Sequence, residues 1–264
     1  LLGGADDRVG AVIGHAHHVL AGGQALGLLL GAQDDPLGLG LALGEDRVGV
    51  GHDLLGATHR SGDGLAGLLN ELEGVLTVDE RAHGDSEGTY IGFGCLDRLD
   101  AKKWMEYMAG RLGEDCELLL QGISMGAATV DMAVGLELPP PVKGAVSDCA
   151  FTSAKEVFTS VLKTTYHMPA FPLMDLSDRM AKKEAGYGLD ECNARDEVKK
   201  AKIPMLFIHG SKDTFVPCSM VHELYEACAA PKDLLIIEGA SHAEAYYKDR
   251  PAYEAAVRKL MERA

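Results

Sequence analysis

The sequence has no stretch that could cross a membrane and no excess of positive charge. Its 264 residues contain no unbroken apolar run of about 18 residues, the length that a membrane-spanning helix needs. Acidic residues outnumber basic ones by 40 to 25, which gives a formal net charge of -15 at pH 7. Nucleic acids and anionic membrane surfaces repel an acidic chain, so neither is expected as a partner.

Paired cysteines are also missing. No two of the six cysteines form a C-x-x-C pair or a cluster with metal-ligand spacing. This pattern predicts free thiols in a reducing compartment, and therefore a cytoplasmic protein without a disulfide framework or bound metal. The start shows no charged segment followed by an apolar run, so no signal peptide is predicted, although a chain that begins at Leu1 leaves a removed leader open.

Residues 1–73 lack whole classes of side chain. They contain no Lys, and all 6 cysteines, 10 methionines, 8 tyrosines, 6 phenylalanines and the single tryptophan lie after them. Frequent glycine argues against helix interiors, and only "LGLGLALG" and "DRVGVGHDLL" are weak strand candidates. Three interpretations stay open for this atypical Gly-rich segment: a divergent half of the fold, a disordered extension, or a stretch translated in an unintended frame. His15, His17 and His18 have no carboxylate or second cluster at ligand spacing, so no metal site is expected there.

Residues 74–264 alternate strand and helix signals, which predicts an α/β core with a mostly parallel sheet and helices on both faces. The strands are expected over residues 74–80, 116–121, 142–148, 203–210 and 233–239. The helices are expected over residues 96–112, from Met125 to the proline run at 139–141, over residues 153–165 and 218–229, and over residues 251–264. In such sheets chemistry lies at the carboxyl ends of the strands.

Residues 149–202 form the longest interruption between expected strands. Prolines on both sides of Phe171 argue against a regular element there. Because part of this insertion is apolar, we predict a lid over a site, with Met168, Phe171, Leu173 and Met174 facing the substrate; a plain long connection is the alternative.

The stretch "QGISMG" places Ser124 between two glycines, after an expected strand and before an expected helix. With 32 glycines in the chain the motif alone is weak, but this context is typical of a nucleophile on a sharp strand-to-helix turn. A hydroxyl needs a base to activate it and an acid to orient that base. Asp213 and His242 each follow a later strand, so the chain order is Ser, Asp, His.

These residues carry a family resemblance. Residues 76–264 resemble the α/β-hydrolase superfamily, and more narrowly bacterial serine hydrolases of the generic or S33-like kind. The matching motifs are "DERAHGDSEG", "GISMGAAT", "DCAFTS", "PMLFIHGSKDTFVP" and "GASHAEAY". The resemblance implies Ser124 as nucleophile, Asp213 as acid, His242 as base and the backbone N–H of Met125 as an oxyanion donor.

The resemblance does not extend to residues 1–73. Relatives carry there a strand that ends in His-Gly, and the loop after it supplies a second oxyanion donor; "VIGHAHH" has Gly before His instead. Asp148 also ends a strand and is an alternative acid, although the motif favours Asp213. His209 is expected to be a core histidine.

The sequence therefore predicts a serine hydrolase that cleaves a small to medium, partly apolar ester without a cofactor. A peptidase of the same fold is one alternative, and a catalytically inert chain without the N-terminal oxyanion loop is another. The oligomeric state is not predicted.

Overall fold

A computed structural model of the chain describes residues 9–15, 74–83, 86–113, 116–191 and 193–263. Six strands within these ranges form one parallel sheet with the order β2-β1-β3-β4-β5-β6. The strands are β1 (Val9–His15), β2 (Gly74–Val78), β3 (Glu117–Ile123), β4 (Val142–Asp148), β5 (Met205–Gly210) and β6 (Lys232–Ile237).

Helices connect the strands on both sides of the sheet. They are α1 (Asp97–Leu112), α2 (Met125–Ala133), α3 (Ala154–Thr164), α4 (Leu173–Glu184), α5 (Ala194–Glu197), α6 (Ser219–Ala227), α7 (Ala245–Lys248) and α8 (Arg250–Met261). A short 3-10 helix, Val198–Lys200, follows α5. None of the helices in the described residues is both long and apolar enough to cross a bilayer.

A cluster of buried side chains lies on each face of the sheet, since successive side chains along a strand point to opposite sides. In β3, Leu118 and Leu120 lie in the larger core cluster, and Leu119 lies in the smaller one. Residues of α2 complete the larger cluster, whereas Tyr253 and Val257 of α8 complete the smaller one. The predicted α/β fold, with a parallel sheet between helices, is confirmed.

The expected strands and helices after residue 73 correspond to observed elements, with shifts at their ends. The clearest shift is in α2, which ends at Ala133 rather than at the proline run. Helix α4 was not predicted, because the prolines around Phe171 argued against it. The helix begins just beyond them at Leu173, where Pro172 occupies the N-cap position and its missing N–H removes no intrahelical bond.

Strand β1 was not predicted either. Its backbone pairs in parallel with β2 on one side and β3 on the other, with Gly14 opposite Gly122. Non-local strand pairing defines this element, which is why the glycine-rich local sequence did not reveal it. The two weak strand candidates, and His17 and His18, lie outside the described residues.

The insertion between β4 and β5 contains α3, α4 and α5 and is attached to the rest of the fold by aromatic side chains. Phe158 of α3 packs edge-on against Phe93, with ring centroids 4.9 Å apart. The Tyr187 hydroxyl donates a hydrogen bond to the carbonyl oxygen of Ile91. These contacts hold the insertion against the loop that leads from β2 to α1.

Candidate active site

Ser124 lies at the turn between β3 and α2, in a backbone conformation that residues other than glycine rarely adopt. Its φ is 56° and its ψ is -111°. The turn is tight because a Cβ on Gly122 would lie 2.2 Å from the carbonyl oxygen of Gly126. Glycine at position 122 therefore lets α2 start directly over the end of β3. Ser124 is largely buried, and strained backbone of this kind is found mostly at active sites and ligand-binding sites.

His242 follows β6, on a loop that crosses close to the end of β5. A Cβ on Gly210 would lie 2.3 Å from the carbonyl oxygen of Ala240, so the close approach requires glycine at position 210. The N–H of Lys212 donates to the same carbonyl, at 2.9 Å. This contact joins the loop of His242 to the loop of Asp213.

Three predicted site residues meet in one chain of hydrogen bonds. His242 Nδ1 lies 2.6 Å from Asp213 Oδ2, and His242 Nε2 lies 2.8 Å from Ser124 Oγ. An ionised carboxylate only accepts hydrogen bonds, so the imidazole proton resides on Nδ1 and is donated to Asp213. Nε2 is then the acceptor of the Ser124 hydroxyl proton. This is the arrangement in which an imidazole can remove that proton.

The Asp213 carboxylate is held ionised by four donors. Oδ1 accepts the backbone N–H groups of Phe215 and Val216, each at 2.9 Å. Oδ2 faces His242 and, at 3.3 Å, Nε2 of His209. Burial opposes ionisation, but the hydrogen bonds from the two imidazoles and from the Val216 N–H prevail and lower the pKa of Asp213 to about 2.

His209 thus belongs to the site, although its position inside a strand predicted a plain core residue. Its Nε2 also lies 3.0 Å from the carbonyl oxygen of Val216, so a proton on Nε2 can be shared between that oxygen and Asp213. The spacing His209-x-x-x-Asp213 was the signal in the sequence. If His209 lies at the end of a strand and a tight turn follows, this spacing brings the imidazole of His209 next to the carboxylate of Asp213.

Asp148, the alternative acid, ends the neighbouring strand and makes none of these contacts with His242. It is buried, and its Oδ1 has no hydrogen-bond partner in the described part of the chain. Burial raises its pKa to about 6, even though His209 and a hydrogen bond with Tyr253 oppose the rise. The geometry favours Asp213 over Asp148 as the partner of the imidazole.

Strained backbone is concentrated around these side chains. Besides Ser124, positive φ angles occur at Cys149, which follows Asp148, and at Ala243, which follows His242. Met125 is the first residue of α2, so its N–H has no carbonyl one turn earlier in the helix to bind. That N–H is available to an oxygen atom bound above Ser124.

The four predicted lid residues occupy different environments. Phe171 is 74% exposed and Met168 is 42% exposed, whereas Met174 is 4% exposed and packs in the larger core cluster. Leu173 is partly buried. Phe215 was not predicted, yet its ring lies 5.0 Å from the His242 ring and is 43% exposed. Phe215 therefore presents an apolar surface beside the imidazole.

Known proteins match part of this chain. A family model described as serine hydrolase (FSH1) matches residues 120–242, a range that includes Ser124, Asp213 and His242. YqkD, an uncharacterized protein of Bacillus subtilis, is 30% identical over 188 residues, which are 71% of this chain and 62% of YqkD. The chain thus spans about six tenths of the length of the curated relatives that it matches.

Solved structures share the fold at low sequence identity. The Pyrococcus furiosus esterase Pf2001 is 19% identical, with a TM-score of 0.61 over 98% of this chain and 84% of the esterase. Acetyl xylan esterase 1 from Thermoanaerobacterium is also 19% identical, with a TM-score of 0.54 over 76% of this chain and 69% of that enzyme. The chain has the α/β-hydrolase fold. The match of residues 120–242 to the serine hydrolase model supports a hydrolase function.

Proposed function

We propose that this protein hydrolyses carboxylic esters by acyl transfer through Ser124, His242 and Asp213. The observation that carries the proposal is the continuous hydrogen-bond chain from the hydroxyl through the imidazole to the carboxylate, at 2.8 and 2.6 Å. A serine hydroxyl is unreactive on its own, and this chain supplies the base and the group that orients it.

In the first half of the reaction, His242 Nε2 takes the Ser124 proton as Oγ bonds to the ester carbonyl carbon. Negative charge then develops on the carbonyl oxygen, and the N–H of Met125 stabilises it. The imidazolium gives its proton to the departing alcohol oxygen, and the carbon–oxygen bond breaks. Ser124 now carries the acyl group, and the imidazole is neutral again.

In the second half, water replaces the alcohol. His242 removes a proton from water, the hydroxide oxygen bonds to the acyl carbon, and Ser124 leaves with the proton that His242 held. The free acid is released. Asp213 remains ionised throughout, which holds the imidazole in the correct tautomer and stabilises its charged form.

The surroundings of His242 favour an ester with an apolar acyl or aryl group of small to medium size. Phe215 offers an exposed ring beside the imidazole, and Met168 and Phe171 offer apolar side chains on the insertion. We propose that the insertion acts as a lid with these residues toward the substrate, and that Met174 anchors it in the core. The two structural neighbours described above are esterases, so we propose ester cleavage and leave the peptidase alternative to the experiment below.

The test is hydrolysis of p-nitrophenyl esters from acetate to octanoate by the parent protein and by Ser124→Ala. We expect turnover in the parent and none above background in the variant, with acyl-length preference reporting the size of the site. The matching p-nitroanilides measure amide cleavage and so test the peptidase alternative. Equal rates for parent and Ser124→Ala, or no turnover by folded parent, would count against the proposal, and the second result would favour the inert chain.

A further inference from the structure

Three side chains with metal-binding atoms meet beside Ser124. The ligand atoms of Cys149, Asp213 and His242 all lie within 4.8 Å of one another. They come from the ends of three neighbouring strands, β4, β5 and β6. Thiolate, carboxylate and imidazole are the ligand types that Zn²⁺ and similar cations prefer.

We propose that Cys149, Asp213 and His242 form an inhibitory site for a thiophilic divalent cation of the Zn²⁺ class. The inhibition rests on the proposed function, whereas cation binding does not. Nothing in the proposed reaction uses the Cys149 thiol, which distinguishes this site from the catalytic set.

A tetrahedral cation with metal–ligand bonds of about 2.0–2.3 Å holds neighbouring ligand atoms roughly 3.5 Å apart. The three ligand atoms lie within 4.8 Å of one another, so side-chain movement must bring them to this spacing. His242 Nδ1 and Asp213 Oδ2, at 2.6 Å, must separate if Nδ1 is the ligand. If Nε2 is the ligand, Ser124 Oγ, 2.8 Å away, or water can complete the coordination.

The thiol is held in place by its backbone. The N–H of Cys149 donates to the carbonyl oxygen of Ile208 at 2.8 Å, and the residue has a φ of 50°. Its side chain is fully buried, so the cation must enter past His242, whose side chain is 24% exposed. A rigid thiol at the base of the site provides the soft ligand that the three catalytic side chains lack.

The surrounding charge favours a cation. The carboxylates of Asp148 and Asp213 lie near the Cys149 thiol. They attract a divalent cation, whose own charge stabilises the thiolate. Binding forms metal–sulfur, metal–oxygen and metal–nitrogen bonds in place of metal–water bonds and releases the thiol proton to water. If Nδ1 is the ligand, the single proton of the neutral imidazole moves to Nε2. No oxidant takes part.

Coordination stops the proposed reaction whichever imidazole nitrogen binds. A cation on Nδ1 leaves the imidazole proton on Nε2, which then donates a hydrogen bond and cannot accept the Ser124 proton. A cation on Nε2 displaces the Ser124 hydroxyl from its acceptor. In both cases the imidazole can no longer accept the serine proton.

Binding is tested in Ser124→Ala, so that the result does not depend on activity. Zn²⁺ and Cd²⁺ are titrated by calorimetry, and the thiolate-to-cadmium charge-transfer absorption in the ultraviolet reports sulfur coordination. We expect Ser124→Ala to bind one equivalent of each cation tightly. Adding Cys149→Ala should weaken the affinity by about tenfold or more and remove the charge-transfer absorption, because the loss of even a group outside the ligand set costs this much affinity. Cys228→Ala, which removes a buried thiol at the opposite end of β5, is the matched control and should bind as before.

Unchanged Zn²⁺ and Cd²⁺ affinity after Cys149→Ala, or loss of the tight equivalent on Cys218→Ser instead, would overturn the site. If Cys149→Ala does not fold, Cys149→Ser keeps the size of the side chain and must still lose the cadmium absorption. The rate of fluorophosphonate labelling of the parent, with Zn²⁺ and after chelation, then measures inhibition. Labelling that Zn²⁺ does not slow refutes inhibition, and a parent that never labels refutes the proposed function while calorimetry still decides the site.

Discussion

The ends of two adjacent strands carry the same functional group with pKa values shifted in opposite directions. After β5, the Asp213 carboxylate receives three hydrogen bonds and lies 3.3 Å from His209 Nε2, and its pKa falls to about 2. After β4, one oxygen of the Asp148 carboxyl has no hydrogen-bond partner among the residues that the structure describes, and its pKa rises to about 6. Both are buried, so burial does not separate them. The number of donors aimed at a buried carboxylate therefore sets the direction in which its pKa moves.

The largest expected effect comes from Asp213→Asn. The Asn oxygen can keep the two backbone N–H groups, but the amide presents no negative charge to His242 and favours the wrong imidazole tautomer. We expect kcat for ester hydrolysis to fall by about 10⁴-fold, the size of loss seen when a triad acid becomes an amide. Steady-state kinetics with circular dichroism as a folding control measures this. A loss of less than tenfold in folded protein would assign the role of the acid elsewhere, with Asp148 as the first candidate.

A smaller effect is expected from His209. His209→Leu removes one donor from the Asp213 carboxylate, so the carboxylate is less well fixed and kcat should fall by about tenfold with KM unchanged. His209→Gln can return an N–H near the position of Nε2 and should recover most of that loss. The low-field proton resonance of the His242–Asp213 hydrogen bond should move in the Leu variant and return in the Gln variant. Equal kinetics in parent and His209→Leu would reduce His209 to a packing residue.

Phe215 tests whether the loop after β5 also contacts substrate. Phe215→Ala removes the exposed ring beside His242 but keeps the backbone N–H that binds Asp213. We expect KM for aryl or butyrate esters to rise by about fivefold, because roughly 1 kcal/mol of apolar contact is lost, with kcat nearly unchanged. Acetate esters are the control and should respond less. A fall in kcat alone would indicate that the ring positions His242 and does not bind substrate.

The smallest effect on activity is expected from Asp148→Asn, which should stay within about twofold of the parent. Its effect is on stability. The pKa of Asp148 is raised, which means that the folded state favours the protonated carboxyl. Ionisation of Asp148 therefore destabilises the folded state; this destabilisation is absent below pH 4 and grows as the pH rises through 6. The neutral amide should therefore stabilise the protein at pH 8 by up to roughly 3 kcal/mol and not at pH 4. Chemical denaturation of both proteins at the two pH values measures this. A large loss of activity in Asp148→Asn would contradict the assignment of Asp213, and not Asp148, as the partner of His242.

Asp213 contributes to stability with the opposite sign. Because its pKa is lowered, its contribution is present above pH 4 and is lost as the pH falls through 2. Acid unfolding of Asp213→Asn should accordingly be less steep than that of the parent.

The sequence predicted the parts of the fold that local pattern determines. Apolar runs such as residues 117–120, followed by glycine-bounded turns, predicted the strands and the positions of Ser124, Asp213 and His242 at their ends. The distances between these side chains could not be predicted, because they depend on close approaches such as that of Gly210 to Ala240. The contact of the Phe215 ring with His242 depends on the same loop crossing, whereas the contact of His209 with Asp213 lies within the turn after β5.

Other features escaped prediction for physical reasons. Helix α4 begins directly after a proline, and a rule against proline inside helices does not exclude that. Strand β1 depends on pairing with β2 and β3, which no local pattern in a glycine-rich segment reveals. The burial of Met174 depends on how the insertion packs, so the sequence alone could not predict which of the four lid residues are buried and which are exposed.

We expect the Ser124 hydroxyl to be a nucleophile that His242 activates. A fluorophosphonate probe followed by peptide mass spectrometry measures this. A single adduct should form on the peptide that contains Ser124, and it should be absent from Ser124→Ala and strongly reduced in His242→Ala. An adduct on another residue, or no adduct in folded parent protein, would contradict it.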